Sequence, residues 1–427
     1  MKNTRSIRKY VAVGAVAITS LGALSACGSS GGESADGKTT LTFWHNGTAE
    51  PLLGIWQQAV DDYEADHSDI TIDVVPIQNE DFATKIPLAL SSDNPPDIYF
   101  NQGGGLLATQ VQSGQVADIS EYTSDWIGDL GAAAGNWAVD GVQYGVPYAS
   151  QVVGFWYRTD LFDEAGITAT PTTIAELSDT VEKLKAAGIA PIAVGGKDRW
   201  PDAFYYNTFA VRECGEDVLK KGLAEADLSD DCFTKAGQDV IDFIATDPFQ
   251  DGFNGTPAQQ GAGSSAGLVA NGKAAMELQG TWDKSVMQGL TDTKLDPLLG
   301  WFPFPAVEGG AGDPSATLGG GDGFSCTQEH AEQCADFLEY LSGDDIQTKL
   351  VESQVVAIPV KQAASSAITD PVVKSVYDFN ADAAYVQTYF DIALPTGVGS
   401  ALNDAVANLF AGKGTASSVA EAVAAAK

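Results

Sequence analysis

From Thr39 onward the chain alternates extended runs with runs of helical spacing, and this alternation limits the possible folds more than any single motif. "TTLTFWHNG" is β-branched and aromatic, and "PLLGIWQQAVDDYEADH" repeats its apolar positions at helical intervals. "DITIDVVPI" then reads as a strand, "EDFATKIPLALSS" as a helix and "PPDIYF" as a short buried strand. A β-α-β-α-β order implies a parallel sheet covered by helices, an α/β fold. Ligands of such sheets bind beyond the carboxyl ends of the strands, where Trp44, His45, Asn46, Asn101 and Gln102 stand. Gln143 to Phe162 differs, with two extended runs split by Pro147 and aromatic residues throughout. The alternation then restarts through "TTIAELSDTVEKLKAAG", "PIAVGG", "PDAFYYNTFAVREC", "AGQDVIDFIAT" and "LVANGKAAMELQGTWD", which marks a second domain of similar build. "LLGWFPFPAV" is another extended run, and from His330 the chain is mostly helical. About 390 residues after the tether described next are too many for one core and suit two domains.

The N-terminus sets the compartment. Lys2, Arg5, Arg8 and Lys9 precede "VAVGAVAITSLGALSA", which ends at Cys27. This reads as a signal peptide over residues 1–26, its apolar stretch too short and too broken for a spanning helix. "LSAC" resembles the bacterial lipobox, in which the cysteine is linked to diacylglycerol and becomes the new N-terminus, so Cys27 is the expected lipidation site. "GSSGGESADGK" has no large apolar side chain, and residues 27–38 read as a flexible tether. The expected location is therefore the outer face of the cell membrane. Cleavage removes four cations and no acids, leaving 19 cations against 57 acids, a net −38. Such a body repels nucleic acid and anionic headgroups.

Five cysteines, less Cys27, leave four, which in an exported protein form two disulfides with three possible connectivities. The local pairs Cys214–Cys232 and Cys326–Cys334 are favoured because each joins nearby positions. Zinc is disfavoured because paired C-x-x-C spacing is missing.

Signals for catalysis are poor. "GSSAG" matches the nucleophile elbow at Ser265, but no strand precedes it and the only later histidine is His330, in a polar helix start. The three histidines, His45, His67 and His330, include no H-E-x-x-H. The run "LGGGDGF", Leu318 to Phe324, lacks the G-K-[ST] and the nearby cation of a phosphate loop. No cofactor is expected. What recurs is aromatic residues beside polar ones: "FWHNG", "IYFNQ", "VPYASQ", "DRWPDAFYYN", "LQGTWD" and "YVQTYFD". Sugars present flat C–H faces that stack on Trp or Tyr and hydroxyls that need carboxylate and amide partners.

Over nearly its whole mature length the chain resembles the extracellular solute-binding proteins of ABC sugar importers, the maltose-binding-protein-like group. The resemblance is carried by the lipobox, "PPDIYF", "VPYASQVVGFWYRTDLFDEAGI", "TTIAELSDTVEKL", "LVANGKAAMELQGTWD" and "DFLEYLSGDDIQTKL". It implies a two-lobed periplasmic-binding-protein-like fold of type II, with lobe 1 at 39–150 and 320–357 and lobe 2 at 151–319 and 358–427. The lobes would be joined by crossing strands and would close on a sugar like a hinged trap. By the same resemblance, Trp282 is the stacking aromatic of lobe 2 and Trp200 a second platform. Trp44, His45, Asn46 and Asn101 face the ligand from lobe 1. Tyr148 and Gln151 lie where the first crossing meets the cleft, Asp322 where the chain returns, and Asp391 is a late acid for sugar hydroxyls. "LGGGDGF" then becomes the return crossing, its glycines supplying hinge dihedrals and close approach of a sugar ring. The expected ligand is a neutral di- to tetrasaccharide, the expected protein partners are ABC permease subunits, and a monomer is expected. A surface glycoside hydrolase and a non-transport adhesin or sensor are the competing readings.

Overall fold

The structure is a computed structural model that describes residues 38–427. The signal peptide, the lipidation motif with Cys27, and the tether apart from Lys38 lie outside the described residues. The first alternation is β1 (Thr39–His45), α1 (Leu52–Asp66), β2 (Ile70–Pro76), α2 (Asn79–Leu90), β3 (Ile98–Asn101) and α3 (Gly104–Gln112). The long strand β4 (Gly145–Arg158) leads into α4 (Ile174–Ala186), β5 (Ala190–Ala193), α5 (Trp200–Glu213) and α6 (Asp231–Ile244). Next come α7 (Ser265–Ala270), β6 (Ala274–Gly280), α8 (Asp283–Gly289), β7 (Leu299–Pro303) and β8 (Thr317–Cys326). The chain ends with α9 (Ala331–Leu341), α10 (Asp344–Glu352), β9 (Ile358–Pro359), α11 (Pro371–Asp382), β10 (Val386–Thr388), α12 (Phe390–Ala393), α13 (Thr396–Phe410) and α14 (Ser418–Ala426).

β1 runs parallel to β2 and β3, as the β-α-β-α-β order requires. β8 then joins antiparallel to β3 and to β4, giving the strand order β2-β1-β3-β8-β4. The other half of β4 pairs antiparallel with β6 and β7, while β5 lies parallel to β6. One strand therefore serves two sheets, and the buried side chains divide accordingly. Leu41, Phe43, Trp56, Tyr148, Phe324 and Phe337 share one core. Phe155, Tyr205, Phe209, Phe302 and Phe410 share another, and Val152, Trp156 and Ile358 pack in a third cluster beside it. Along the chain, core membership changes between Ala149 and Val152, between Leu318 and Phe324, and between Val356 and Ala357. These three places are the crossings between lobes. The third is gradual: Val360 returns to the first core, its N–H donates to Gln347 Oε1 at 3.2 Å, and Lys361 pairs with Asp129 at 3.3 Å. Residues 358–367, assigned above to lobe 2, thus pack partly on lobe 1.

Two local expectations change. Pro147 does not split the aromatic segment: β4 runs through it, with Pro147 opposite Gly323 where the register of β8 shifts between Asp322 and Gly323. An irregularity in the ladder is where a residue without an N–H is tolerated. "LGGGDGF" is the return crossing expected, a paired strand, but none of its glycines has a positive φ, so they do not supply special dihedrals. The glycines are needed for space. A Cβ at Gly319 would stand 2.3 Å from the Gln151 carbonyl oxygen, at Gly320 2.5 Å from the Tyr389 ring, and at Gly323 2.4 Å from the Val146 carbonyl oxygen. Protein, rather than ligand, fills the volume that side chains would take.

Cys214 is bonded to Cys232 and Cys326 to Cys334, with Cα separations of 5.3 and 6.0 Å. The first bridge spans 18 residues between the end of α5 and the start of α6. Its loss, in a C214S/C232S variant, is expected to cost about 3 kcal/mol through the freedom regained by the unfolded chain. Urea unfolding should show the lowered midpoint; an unchanged midpoint would mean that packing alone holds α5 to α6.

Candidate functional site

The crossings form the floor of a cleft of about 920 Å³ between the lobes. Eight of the ten expected ligand-facing residues line it: Asn46, Asn101, Tyr148, Gln151, Trp200, Trp282, Asp322 and Asp391. Trp44 and His45 do not. The period of two along β1 turns Leu41, Phe43 and His45 inward, so His45 is fully buried with its ring 5.1 Å from Phe43. Burial pushes its imidazole down to about 4, and Nδ1 accepts from the Gly47 N–H at 3.1 Å. Trp44, on the opposite face, packs against the lobe-1 core. The chain reaches the cleft one residue later, at Asn46.

The lobe-2 wall is aromatic. Trp200 and Phe204 lie one helical turn apart on α5, with ring centroids 5.4 Å apart. Trp282 stands 6.3 Å from Trp200 and 6.4 Å from Phe204, and Tyr389 stands 6.5 Å from Trp282 and 5.4 Å from Phe204. Trp282 owes its position to Gly280, where a Cβ would fall 1.9 Å from the indole ring. Phe204 and Tyr389 were not among the expected site residues. The four-residue spacing in "RWPDAFYYN" and the nearness of Tyr389 to Asp391 were the signals that point to them.

The floor is polar. Gln151 Nε2 donates to Asp322 Oδ2 at 3.1 Å, and its Oε1 accepts from the Thr281 hydroxyl, so one side chain ties the first crossing to both the return strand and the Trp282 turn. Burial raises the Asp322 carboxyl to about 6, against the opposing pull of hydrogen bonds from Gln151 and Gln102. Asp391 is also raised by burial, and its Oδ2 accepts from Asn403 Nδ2 at 2.8 Å. Asn101 is committed internally: its amide donates to Gln110 Oε1 at 2.8 Å and its carbonyl accepts from Gly103 N–H at 2.9 Å. It shapes the floor.

Four polar atoms at the cleft are buried without a partner among the described residues: Asn46 Oδ1, Trp200 Nε1, Tyr389 OH and Asn403 Oδ1. Such groups are costly unless something satisfies them. Among the described residues lining the cleft, the cations are Lys197 and Arg199, and Arg199 is ion-paired with Asp404. The carboxylates Glu50, Asp198, Asp322 and Asp391 outnumber them. The cleft therefore disfavours anions.

The candidate catalytic features lie elsewhere. Ser265 is buried in lobe 2, its hydroxyl within hydrogen-bond reach of the Ala258 carbonyl at 3.0 Å and of Glu277 Oε1 at 2.5 Å. Its neighbour Ser264 caps α7 by accepting from Gly267 N–H at 3.0 Å, so "GSSAG" is a helix start. His67 stacks on Tyr63 and His330 pairs with Asp97 at 2.7 Å, both outside the cleft lining.

Two lobes around a cleft walled by aromatic rings and floored by amides and carboxylates define a binding protein of the hinged, two-lobed class. The chain belongs to the bacterial extracellular solute-binding protein family, whose pattern it matches over residues 49–348. It is 26% identical over 292 residues to the diacetylchitobiose binding protein DasA of Streptomyces coelicolor, covering 66% of this chain and 64% of that one. The chain spans between 39% and 64% of the length of the curated relatives it matches. A solved structure from work on xylan utilization by Caldanaerobius polysaccharolyticus superposes with a TM-score of 0.83 at 26% identity, covering 90% of this chain and 98% of the other. A chitin oligosaccharide binding protein shares the fold with a TM-score of 0.79 at 24% identity, covering 90% and 97%. DasA and the chitin oligosaccharide binding protein are, like the family as a whole, solute-binding receptors rather than enzymes.

Proposed function

We propose that this protein is a lipid-anchored receptor that captures a neutral oligosaccharide of two to four sugar rings in the inter-lobe cleft and delivers it to an ABC-type importer. The observation that carries the reading is the meeting, in one cleft, of the Trp200–Phe204–Trp282–Tyr389 wall with buried polar atoms that lack partners. Ring faces supply stacking and the unpartnered groups supply hydrogen bonds, which together match a saccharide's two kinds of surface. The carboxylate-rich floor favours hydroxyl donors over uronates and sugar phosphates. DasA is a diacetylchitobiose binding protein and the closely superposing structure comes from work on xylan utilization, which supports taking plant and chitin oligosaccharides as first candidates. The anchor rests on "LSAC" at Cys27, at the outer face of the membrane; no described helix is long and apolar enough to cross one. A monomer working with separate permease subunits fits this role. Affinity of about −8 kcal/mol or better is expected.

A thermal-shift screen against xylo-, chito-, gluco- and manno-oligosaccharides tests the reading, because bound ligand stabilises by mass action. One neutral series should raise the midpoint; a shift confined to acidic sugars would overturn the reading. Asp322 adds a pH signature. Its ionised form accepts ligand hydroxyls, and its pKa of about 6 means that it takes up a proton as pH falls through that value and loses acceptor capacity. Affinity measured by calorimetry should fall from about pH 7.5 to about pH 5 in the wild type and stay flatter in D322N. Parallel profiles would remove Asp322 from the ligand's partners.

A further inference from the structure

Behind Trp282, inside lobe 2, two acids bracket the turn that carries it. Glu277 on β6 is 1% exposed and Asp283 at the start of α8 is fully buried. They stand at the two ends of one tight turn, and the charge of Asp283 adds to burial in pushing the Glu277 carboxyl up. Ser265 satisfies Glu277 Oε1, but Glu277 Oε2 and both Asp283 oxygens have no donor. Two ionised carboxylates in contact and out of water repel strongly, whereas one proton held between them supplies the missing donor.

Among the described residues packed around the pair, no cation is free to neutralise it. From α5 comes Tyr205, whose buried hydroxyl has no partner and can serve one oxygen of Glu277 but leaves those of Asp283 without a donor. From β6, Gln279 Nε2 reaches Glu277 Oε1 at 3.5 Å. From β4, Trp156 Nε1 donates to the Gly280 carbonyl at 3.0 Å, while Arg158 is turned to Asp160 and to the Val269 and Ala270 carbonyls. Lys284, next along α8, is engaged with Asp296 and Asp370. The pair thus faces no free cation, and the residues between its two members are the ones that present Trp282 to the cleft.

We propose that Glu277 and Asp283 share a proton that pins the Gly280–Trp282 turn, which makes them positioning residues for the Trp282 platform. The bearing on ligand rests on the reading of Trp282 as a saccharide platform. Burial holds both carboxyls above the usual carboxylate range. Because the folded pKa is raised, the stabilisation is complete below the unfolded value of about 4 and is lost as pH rises toward the folded one. Alkali should therefore loosen the turn.

The test needs no saccharide. The near-ultraviolet circular dichroism difference between the full chain and W282F isolates the environment of Trp282. It should fall to about half or less between about pH 6 and about pH 9.5, while far-ultraviolet spectra hold constant. In E277Q the amide still accepts from Ser265 and donates permanently to Asp283, so the corresponding difference, taken against E277Q/W282F, should persist across the range. D283N serves the same comparison if E277Q does not fold. A wild-type difference unchanged to about pH 9.5, or an unaltered profile in the foldable variant, would overturn the inference. Failure of Trp282 to bind sugar would leave this result standing, so the two claims fail separately.

Discussion

Replacing Trp282 with alanine is expected to weaken saccharide binding at least about 30-fold, about 2 kcal/mol, as for a central aromatic anchor. The size follows from its place. Its ring contacts Trp200, Phe204 and Tyr389, so truncation removes a stacking face and opens the middle of the wall to water. Its seat is built for it, since Gly280 leaves room for the indole and Gln151 ties the adjoining Thr281 to the cleft floor. Calorimetry on W282A with the saccharide that most stabilises the wild type checks the figure. Unchanged affinity with an unchanged fold would remove Trp282 from the ligand site.

The second large effect is on stability. Lys284 is 4% exposed and its ammonium lies 2.5 Å from Asp370 and 3.2 Å from Asp296. Asp370 is itself 8% exposed and caps α11 by accepting from Val372 and Val373 N–H groups at 2.8 and 3.0 Å. Burial alone would raise its carboxyl, but Lys284 and the helix N–H groups outweigh burial and hold it below the usual range. K284A leaves that carboxylate buried without its cation, held by the two helix N–H groups alone, with an expected cost of about 3 kcal/mol. A K284A/D370N pair should recover part of the loss in urea unfolding. A single variant within about 0.5 kcal/mol of wild type would show that water reaches Asp370 freely.

The lobes were legible because their strands and helices carry strong, opposed periodicities, and the restart of the pattern after Phe162 marks the second one. β8 was not legible as a strand. Its glycines carry no side-chain pattern, and the reason for them, close packing against Gln151, Tyr389 and Val146, exists only once the crossings are side by side. The same limit governs the site. Strand ends point to the cleft, yet whether His45 or Asn46 enters it depends on where β1 stops and which face is core. Asp322 was reached through its place at the return of the chain, whereas the faint signals for Phe204 and Tyr389 gain meaning when three segments distant in sequence meet around Trp282.

Every functional claim depends on the cleft being the place where a saccharide sits. A crystal structure of the chain with the most stabilising saccharide from the screen tests this directly. The expected result is a sugar ring stacked on Trp282 between the lobes, with hydroxyls donating to Asp322. A saccharide bound outside the cleft, with Trp282 and Asp322 untouched, would contradict the account.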